Sequence, residues 1–265
     1  MDTALLSLQS VQLKQGQRSF GPFDIQIRPG ERVAILGPSG AGKSTLLKGM
    51  AGELPARSGR AELKSRALVD WSLSALSQHR AVLPQSHEVA FGLPAELVIG
   101  LGRVARLCDP ALQRIVREAA ELACASHLLR RQIDTLSGGE RARVQLARVF
   151  AQLWDVEGGL VLVDEPLAAL DPGLQLQLLE AIDQFADVRG HAVVAVLHDV
   201  NHALQAFERL ILVRDGQQLE VLASDAQALP VLEKLYGVTF AQAVSSQGDL
   251  IVAPVKCPPL ARQAA

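Results

Sequence analysis

Two apolar patterns alternate along the chain. In Leu8 to Leu13 and in Phe23 to Ile27, hydrophobic and polar side chains alternate, strictly in the second segment and with one extra polar residue, Ser10, in the first, and Gly16 and Gly21-Pro22 lie between the two. A period of two predicts a pair of strands with one covered face at the head of the fold. Further on the apolar runs become unbroken: Val33-Ala34-Ile35-Leu36, Ala81-Val82-Leu83, Leu160 to Val163, Val193 to Leu197 and Leu210 to Val213. Such runs predict strands buried on both faces. Helical spacing fills the gaps. Asp109-Pro110 reads as an N-cap and first turn leading into Leu112, Ile115, Ala119 and Leu122. Asp171-Pro172 repeats the device ahead of Leu174, Leu178, Ile182 and Phe185. Strands alternating with helices predict an α/β fold: a mainly parallel sheet covered on both faces, with an antiparallel addition at the N-terminus.

The stretch from about 86 to 135 interrupts this rhythm, being helix-rich and without a buried strand, and is expected to be an inserted helical subdomain. Beyond about residue 226, Pro230, Pro254, Pro258 and Pro259 accompany weak periodicity. A short helix at Leu229 to Tyr236, an edge strand and a frayed tail are expected there. The organisation is thus one domain over 1–225 with its insertion, followed by an extension over 226–265.

Charge narrows the partners. The 26 Lys+Arg nearly balance 28 Asp+Glu, for a net −2, so no global basic field steers the chain onto nucleic acid. The longest apolar run, Ala192 to Leu197, is far short of the ~20 residues that span a bilayer. Met1-Asp2-Thr3 does not begin a secretory leader, and a cytoplasmic location is expected. Cys108, Cys124 and Cys257 are odd in number and lack CxxC spacing, against a disulfide framework or a zinc site. Cys257-Pro258 offers a thiolate of the kind that ligates haem iron, with an inert thiol as the plainer reading.

Candidate chemistry begins at Gly37-Pro38-Ser39-Gly40-Ala41-Gly42-Lys43-Ser44-Thr45, which fits GxxxxGK[ST] between a strand and the apolar Leu46-Leu47. Glycines let successive amides turn towards phosphate oxygens, and a helix N-terminus adds positive potential. Lys43 neutralises β and γ oxygens, and the Ser44 hydroxyl suits Mg²⁺. Leu160 to Val163 then delivers Asp164 and Glu165 at a strand's C-terminal end, where α/β sheets bind ligands. Asp164 suits a Mg²⁺ contact through water, and Glu165 the orientation of an attacking water. In Leu136-Ser137-Gly138-Gly139-Glu140, Ser137 and Glu140 form a capping box, and two glycines leave the helix's first amides bare. This second anion-binding helix end predicts a dimer in which each chain closes over the ATP held by its partner's Lys43 loop. Gln85 follows a buried strand and can reach metal or water. His198 alone among six histidines ends a core strand, at the rim shared with Asp164 and Glu165.

Taken together these segments resemble the ATP-binding cassette subunits of ABC transporters. The resemblance assigns Gly37 to Thr45 as Walker A, Gln85 as the Q-loop, Leu136 to Glu140 as the signature, Leu160 to Asp164 with Glu165 as Walker B, Leu170-Asp171 as the D-loop and His198 as the switch. It covers roughly residues 5 to 225 and implies a P-loop, RecA-like cassette that hydrolyses ATP with Mg²⁺. A narrower similarity is to haem-importer subunits within the cobalamin and iron-siderophore branch. It rests on Arg80 to Gln85, Val144 to Trp154, Val196 to Asn201 and Leu235-Tyr236-Gly237-Val238. The implied partners are a second cassette, two membrane permease subunits and, indirectly, a periplasmic haem-binding protein. The implied location is the cytoplasmic face of the inner membrane. Residues Ser86 to Arg103, notably Phe91, Leu93 and Leu97, are expected to meet the permease. Importers of ferric siderophore or cobalamin, and a soluble iron-sulfur assembly ATPase, stand as alternatives. Two departures are visible. Val11 to Leu13 carries no aromatic to stack adenine, leaving Phe20 as a substitute, and the D-loop has Ala168-Ala169 where many members carry polar residues.

Overall fold

The computed structural model describes residues 4–85, 92–106, 108–167, 170–246 and 248–256. In chain order the elements are β1 (Leu6–Gln15), β2 (Arg18–Ile27), β3 (Arg32–Leu36), α1 (Lys43–Met50), β4 (Ser58–Leu63), β5 (Arg66–Ala67), α2 (Leu73–Leu76) and β6 (Arg80–Leu83). The middle of the chain supplies α3 (Ala95–Gly100), α4 (Leu112–Leu122) and α5 (Gly138–Leu153). Then come β7 (Leu160–Asp164), α6 (Pro172–Arg189), β8 (Ala192–Val196), α7 (Val200–Ala206), β9 (Arg209–Arg214) and β10 (Gln217–Ala223). The chain closes with α8 (Leu229–Tyr236), β11 (Thr239–Val244) and β12 (Leu250–Lys256).

Five strands form a parallel sheet in the order β9-β3-β8-β7-β6, with β10 added antiparallel beside β9. A second, antiparallel sheet has the order β2-β1-β4-β5. Residues one apart on the central strands serve different cores. Val33 and Ile35 of β3 pack with Val194 and Val196, Ile211, α1 and the antiparallel sheet. Ala34 and Leu36 face the opposite side, into a larger core built from α3 to α6, α7 and α8. Both faces are therefore dry, which is why these strands read as continuous aliphatic runs.

The helical insertion follows β6, and α3 and α4 pack on α5 through Ile99, Ile115, Ala119, Val144 and Phe150. Its helix α4 starts later than expected. Asp109 does not cap it: one carboxylate oxygen accepts from Ala111 N at 3.0 Å and the other from Arg103 Nε at 2.6 Å, so Ala111 occupies the N-cap position. Arg103 is itself buried, pairing with Asp155 just beyond α5 at 2.7 Å, which locks the insertion to the far end of α5.

The C-terminal helix falls on Leu229–Tyr236 as expected, with Leu229, Leu232 and Leu235 in the larger core. The expected edge strand is a two-stranded hairpin, β11 with β12. Residues 226–256 thus share a core with the preceding domain, although the sequence marks them off by composition. Among the described residues no helix is long and apolar enough to cross a membrane. Cys257-Pro258, Ser86 to Phe91 and Ala168-Ala169 lie outside the described residues.

Candidate functional site

The turn after β3 is shaped by what surrounds it. Gly42 caps α1 in the left-handed region at φ 101°, and a Cβ there would sit 2.7 Å from the Phe20 ring. Only glycine meets both conditions. Gly37 lies against β9, where a Cβ would be 2.1 Å from the Val213 carbonyl. Lys43 is buried within the loop, and its Nζ donates to the carbonyls of Gly37 at 2.8 Å and Pro38 at 3.1 Å. Burial lowers its pKa, opposed by the negative charges of Glu165 and Asp164.

Sheet order brings the acids to this loop. Strand β8 separates β3 from β7, and Asp164 at the end of β7 accepts from Ser44 Oγ at 3.1 Å. Asp164 is 6% exposed; burial raises its pKa, with the Ser44 hydrogen bond acting the other way. Glu165 departs from the strand at φ 51° while its amide donates to Val196 O of β8. A left-handed conformation at a non-glycine is strained, and here it turns the carboxylate toward two other strand ends. Gln85 Nε2 donates to Glu165 Oε2 at 2.6 Å, and His198 Nε2 lies 2.5 Å from Glu165 Oε1. The three residues at the C-terminal ends of β6, β7 and β8 thus form one constellation.

A cleft of about 530 Å³ contains this constellation and the loop: Ser39 to Thr45, Gln85, Glu165 and His198 line it. Its remaining wall comes from the first hairpin, through Gln15, Arg18 and Phe20. Phe20 is 7% exposed, with Gly42 and Gly216 against its ring and the Arg18 guanidinium 5.6 Å from its centroid. The ring underpins the loop, whereas Gln15 and Arg18 are exposed at the cleft rim. Gln15 Oε1 also accepts from Thr45 Oγ1 at 2.8 Å. Sequence reasoning did not find Gln15 or Arg18; their only signal was polarity at a hairpin end.

Ser137 to Glu140 do not line this cleft. They open α5 with the expected capping box: Glu140 N donates to Ser137 Oγ at 3.3 Å and Ser137 N to Glu140 Oε2 at 2.7 Å. These contacts with Ser137, aided by Arg131, hold the Glu140 carboxyl down at about 2. Ser137 and Gly138 are exposed, so a bare helix end faces outward from the chain. Asp171 caps α6 alongside, accepting from Leu174 N, and a Cβ on Gly139 would meet Leu170 and Leu174 at 3.2 Å.

Hard oxygen donors at Ser44 and Asp164, one hydroxyl and one buried carboxylate, fit Mg²⁺. Among the described residues no cluster of three or more His, Cys, Asp or Glu forms a metal site. On the helical insertion a second depression of about 650 Å³ is lined by Leu93, Leu97, Leu101, Val104 and Leu112 with Arg106. Leu97 and Val104 are 54% and 76% exposed, an apolar surface of the kind that takes a partner.

A glycine-rich loop at a helix N-terminus, set beside two strand-end carboxylates in a mainly parallel sheet, defines a P-loop nucleoside triphosphatase. The family profile described as ABC transporter matches residues 20–168. The hemin import ATP-binding protein HmuV of Pseudomonas aeruginosa is 44% identical over 216 residues, covering 80% of this chain and 84% of that protein. HmuV of Myxococcus xanthus is 37% identical over 96% of this chain and 98% of its own. The dimeric post-hydrolysis structure of the ATP-binding cassette MJ0796 with ADP and Pi superposes with a TM-score of 0.72 at 23% identity, covering 83% of this chain and 99% of that one. The chain belongs to the ATP-binding subunits of ABC transporters, a family that couples ATP hydrolysis to transport.

Proposed function

We propose that this subunit energises an importer for haem, working as a homodimer on two permease subunits at the cytoplasmic face of the inner membrane. The contact of Glu165 with both Gln85 and His198 beside the Lys43 loop carries the hydrolytic part of this reading. The two relatives named for hemin import favour haem over a ferric siderophore or cobalamin. In this reading residues 1–225 are the ATPase domain, 86–135 its helical insertion and 226–265 an extension.

The roles follow from placement. Amides of Gly37 to Thr45 and the α1 N-terminus hold the phosphates, and Lys43 neutralises β and γ oxygens. Ser44 and Asp164, with Gln85 nearby, would hold Mg²⁺, which supplies charge neutralisation at the β and γ phosphates. Glu165 accepts a proton from the attacking water, and its contacts to Gln85 and His198 fix the direction of its lone pairs. His198, at the same rim, is within reach of the γ-phosphate. Arg18 and Gln15 take the base, in place of the missing aromatic.

Ser137, Gly138, Gly139 and Glu140 complete the site of the partner copy. The exposure of Ser137 and Gly138, away from the cleft of their own chain, supports this role. Closure on ATP and reopening after hydrolysis then move the permease, because the two states differ in affinity for nucleotide. The apolar depression at Leu93, Leu97 and Val104 receives a permease helix. A periplasmic capture protein delivers haem to the far side.

The test is reconstitution of the complex with its permease in lipid vesicles. Haem presented by the capture protein should stimulate ATP turnover, and ferric siderophore or cobalamin should not. Stimulation by cobalamin alone would assign a different cargo.

A further inference from the structure

The C-terminal extension is tied to the phosphate loop and to the helix that follows His198 by two contacts that the catalytic reading leaves unused. The first is at the phosphate loop. Tyr236, the last residue of α8, lies 199 positions from Gly37, yet its hydroxyl oxygen accepts from the Gly37 amide at 3.1 Å. Gly37 is thereby hydrogen-bonded to a phenol while its backbone lies close against the Val213 carbonyl of β9, where a Cβ would be 2.1 Å away. Helix α8 is itself anchored: Arg214 Nη1 donates to Lys234 O at 3.3 Å, and Leu232 and Leu235 are buried in the larger core. Burial pushes the Tyr236 phenol up to about 12, so it stays neutral through the working pH range.

The second contact is at the switch. Asn201 lies three residues after His198, in the first turn of α7. Its side-chain amide makes a two-point contact with the main chain of Val252 in β12: Asn201 Nδ2 donates to Val252 O at 3.0 Å, and Val252 N donates to Asn201 Oδ1 at 2.7 Å. Such a pair fixes the side-chain amide in both directions and ties α7 to the hairpin. Helix and hairpin are joined in turn, because Phe240 N donates to Glu233 Oε1 at 2.7 Å. A continuous chain of contacts therefore runs from Gly37 through Tyr236, Glu233, Phe240 and the β11–β12 pair to Asn201.

We propose that α8 and the β11–β12 pair are a brace for ATP turnover, with Tyr236 and Asn201 as positioning residues that hold the Gly37 loop and the His198 turn in register across the cleft. Neither residue touches the reacting atoms. Tyr236 acts through the backbone that cradles the phosphates, so its effect falls on nucleotide affinity. Asn201 acts through the turn that carries His198, so its effect falls on the chemical step. The inference rests on the assignment of ATP hydrolysis to this cleft.

The experiment is steady-state MgATP hydrolysis by the purified full-length chain and by Tyr236→Phe and Asn201→Ala. Tyr236→Phe keeps the ring and removes the acceptor; it should raise KM about three- to tenfold, the worth of one buried hydrogen bond. Its kcat should stay within about twofold of the parent, the pattern of lost binding rather than lost chemistry. Asn201→Ala should lower kcat about three- to tenfold with KM retained. The brace is overturned if Tyr236→Phe leaves KM within about twofold of the parent. It is equally overturned if both variants lose only kcat, in proportion to folded protein measured by circular dichroism. It is overturned too if Asn201→Ala leaves kcat within about twofold of the parent. Glu165→Gln, assayed in parallel, reports on the hydrolytic site itself: parental turnover in that variant would remove the assignment of the cleft, whereas failure of the brace appears in the Tyr236→Phe KM or the Asn201→Ala kcat.

Discussion

His198 Nε2 and Glu165 Oε1 are 2.5 Å apart, at the ends of adjacent strands β8 and β7. The contact joins the carboxylate that faces the phosphate loop to the turn that begins α7. With Gln85 on its other oxygen, Glu165 is held from both sides. Removing the charge while keeping the shape separates binding from chemistry. Glu165→Gln should bind ATP and form a long-lived dimer while hydrolysis falls about a hundredfold or more. Size-exclusion chromatography with ATP reads the dimer and phosphate release reads the rate; parental phosphate release would remove Glu165 as the base.

Lys43 sits inside the loop's own backbone cage, its Nζ donating to the Gly37 and Pro38 carbonyls. Lys43→Ala removes the charge that faces β and γ oxygens, and ATP turnover should fall about a hundredfold or more, as for loss of a preorganised donor. Nucleotide affinity by equilibrium dialysis should fall with it.

Gly37 has no room for a side chain, since a Cβ would lie 2.1 Å from the Val213 carbonyl. Gly37→Ala must push β3 and β9 apart or distort the loop. Overpacking of this kind costs about 1–3 kcal/mol, and a lower melting temperature together with weaker ATP binding is the expected result. A variant with parental stability and affinity would show that the loop can yield there.

Much of this arrangement was legible in the pattern of residues. Strands β3, β7, β8 and β9 are buried on both faces, so their aliphatic runs could only be core, and the motifs at their ends inherit a common rim from the parallel order. Strands β4 and β10 were not legible because their sequences, SGRAEL and QQLEVLA, are largely exposed and carry no alternation. The start of α4 was misread because Asp109 is engaged by Arg103, a contact no local pattern encodes. Gln15, Arg18 and Tyr236 reach the nucleotide loop only through the tertiary fold.

His191 links pH to stability. It is fully buried, its Nδ1 accepts from Gly159 N at 2.9 Å, and its ring lies 4.8 Å from that of Phe185. Burial, with Arg189 nearby, pushes its pKa from 6.5 down to about 4. The folded state binds fewer protons than the unfolded state between those values. Its contribution is therefore complete above pH 6.5 and is lost as pH falls to about 4, on the order of 3 kcal/mol. The melting temperature should fall across this window, and His191→Gln should show a shallower slope whatever its stability at neutral pH. An unchanged slope would exclude His191 as the titrating group.

The central claim is that each cleft is finished by the Ser137 end of the other copy. The direct measurement uses a mixed dimer in which one chain carries Ser137→Arg and the two chains differ in size. Photo-crosslinking with an azido-ATP then shows which chain traps nucleotide. Trapping should be lost from the unaltered chain, whose Lys43 loop faces the substituted helix end, and kept by the chain that bears the arginine. Loss confined to the arginine-bearing chain would contradict the account.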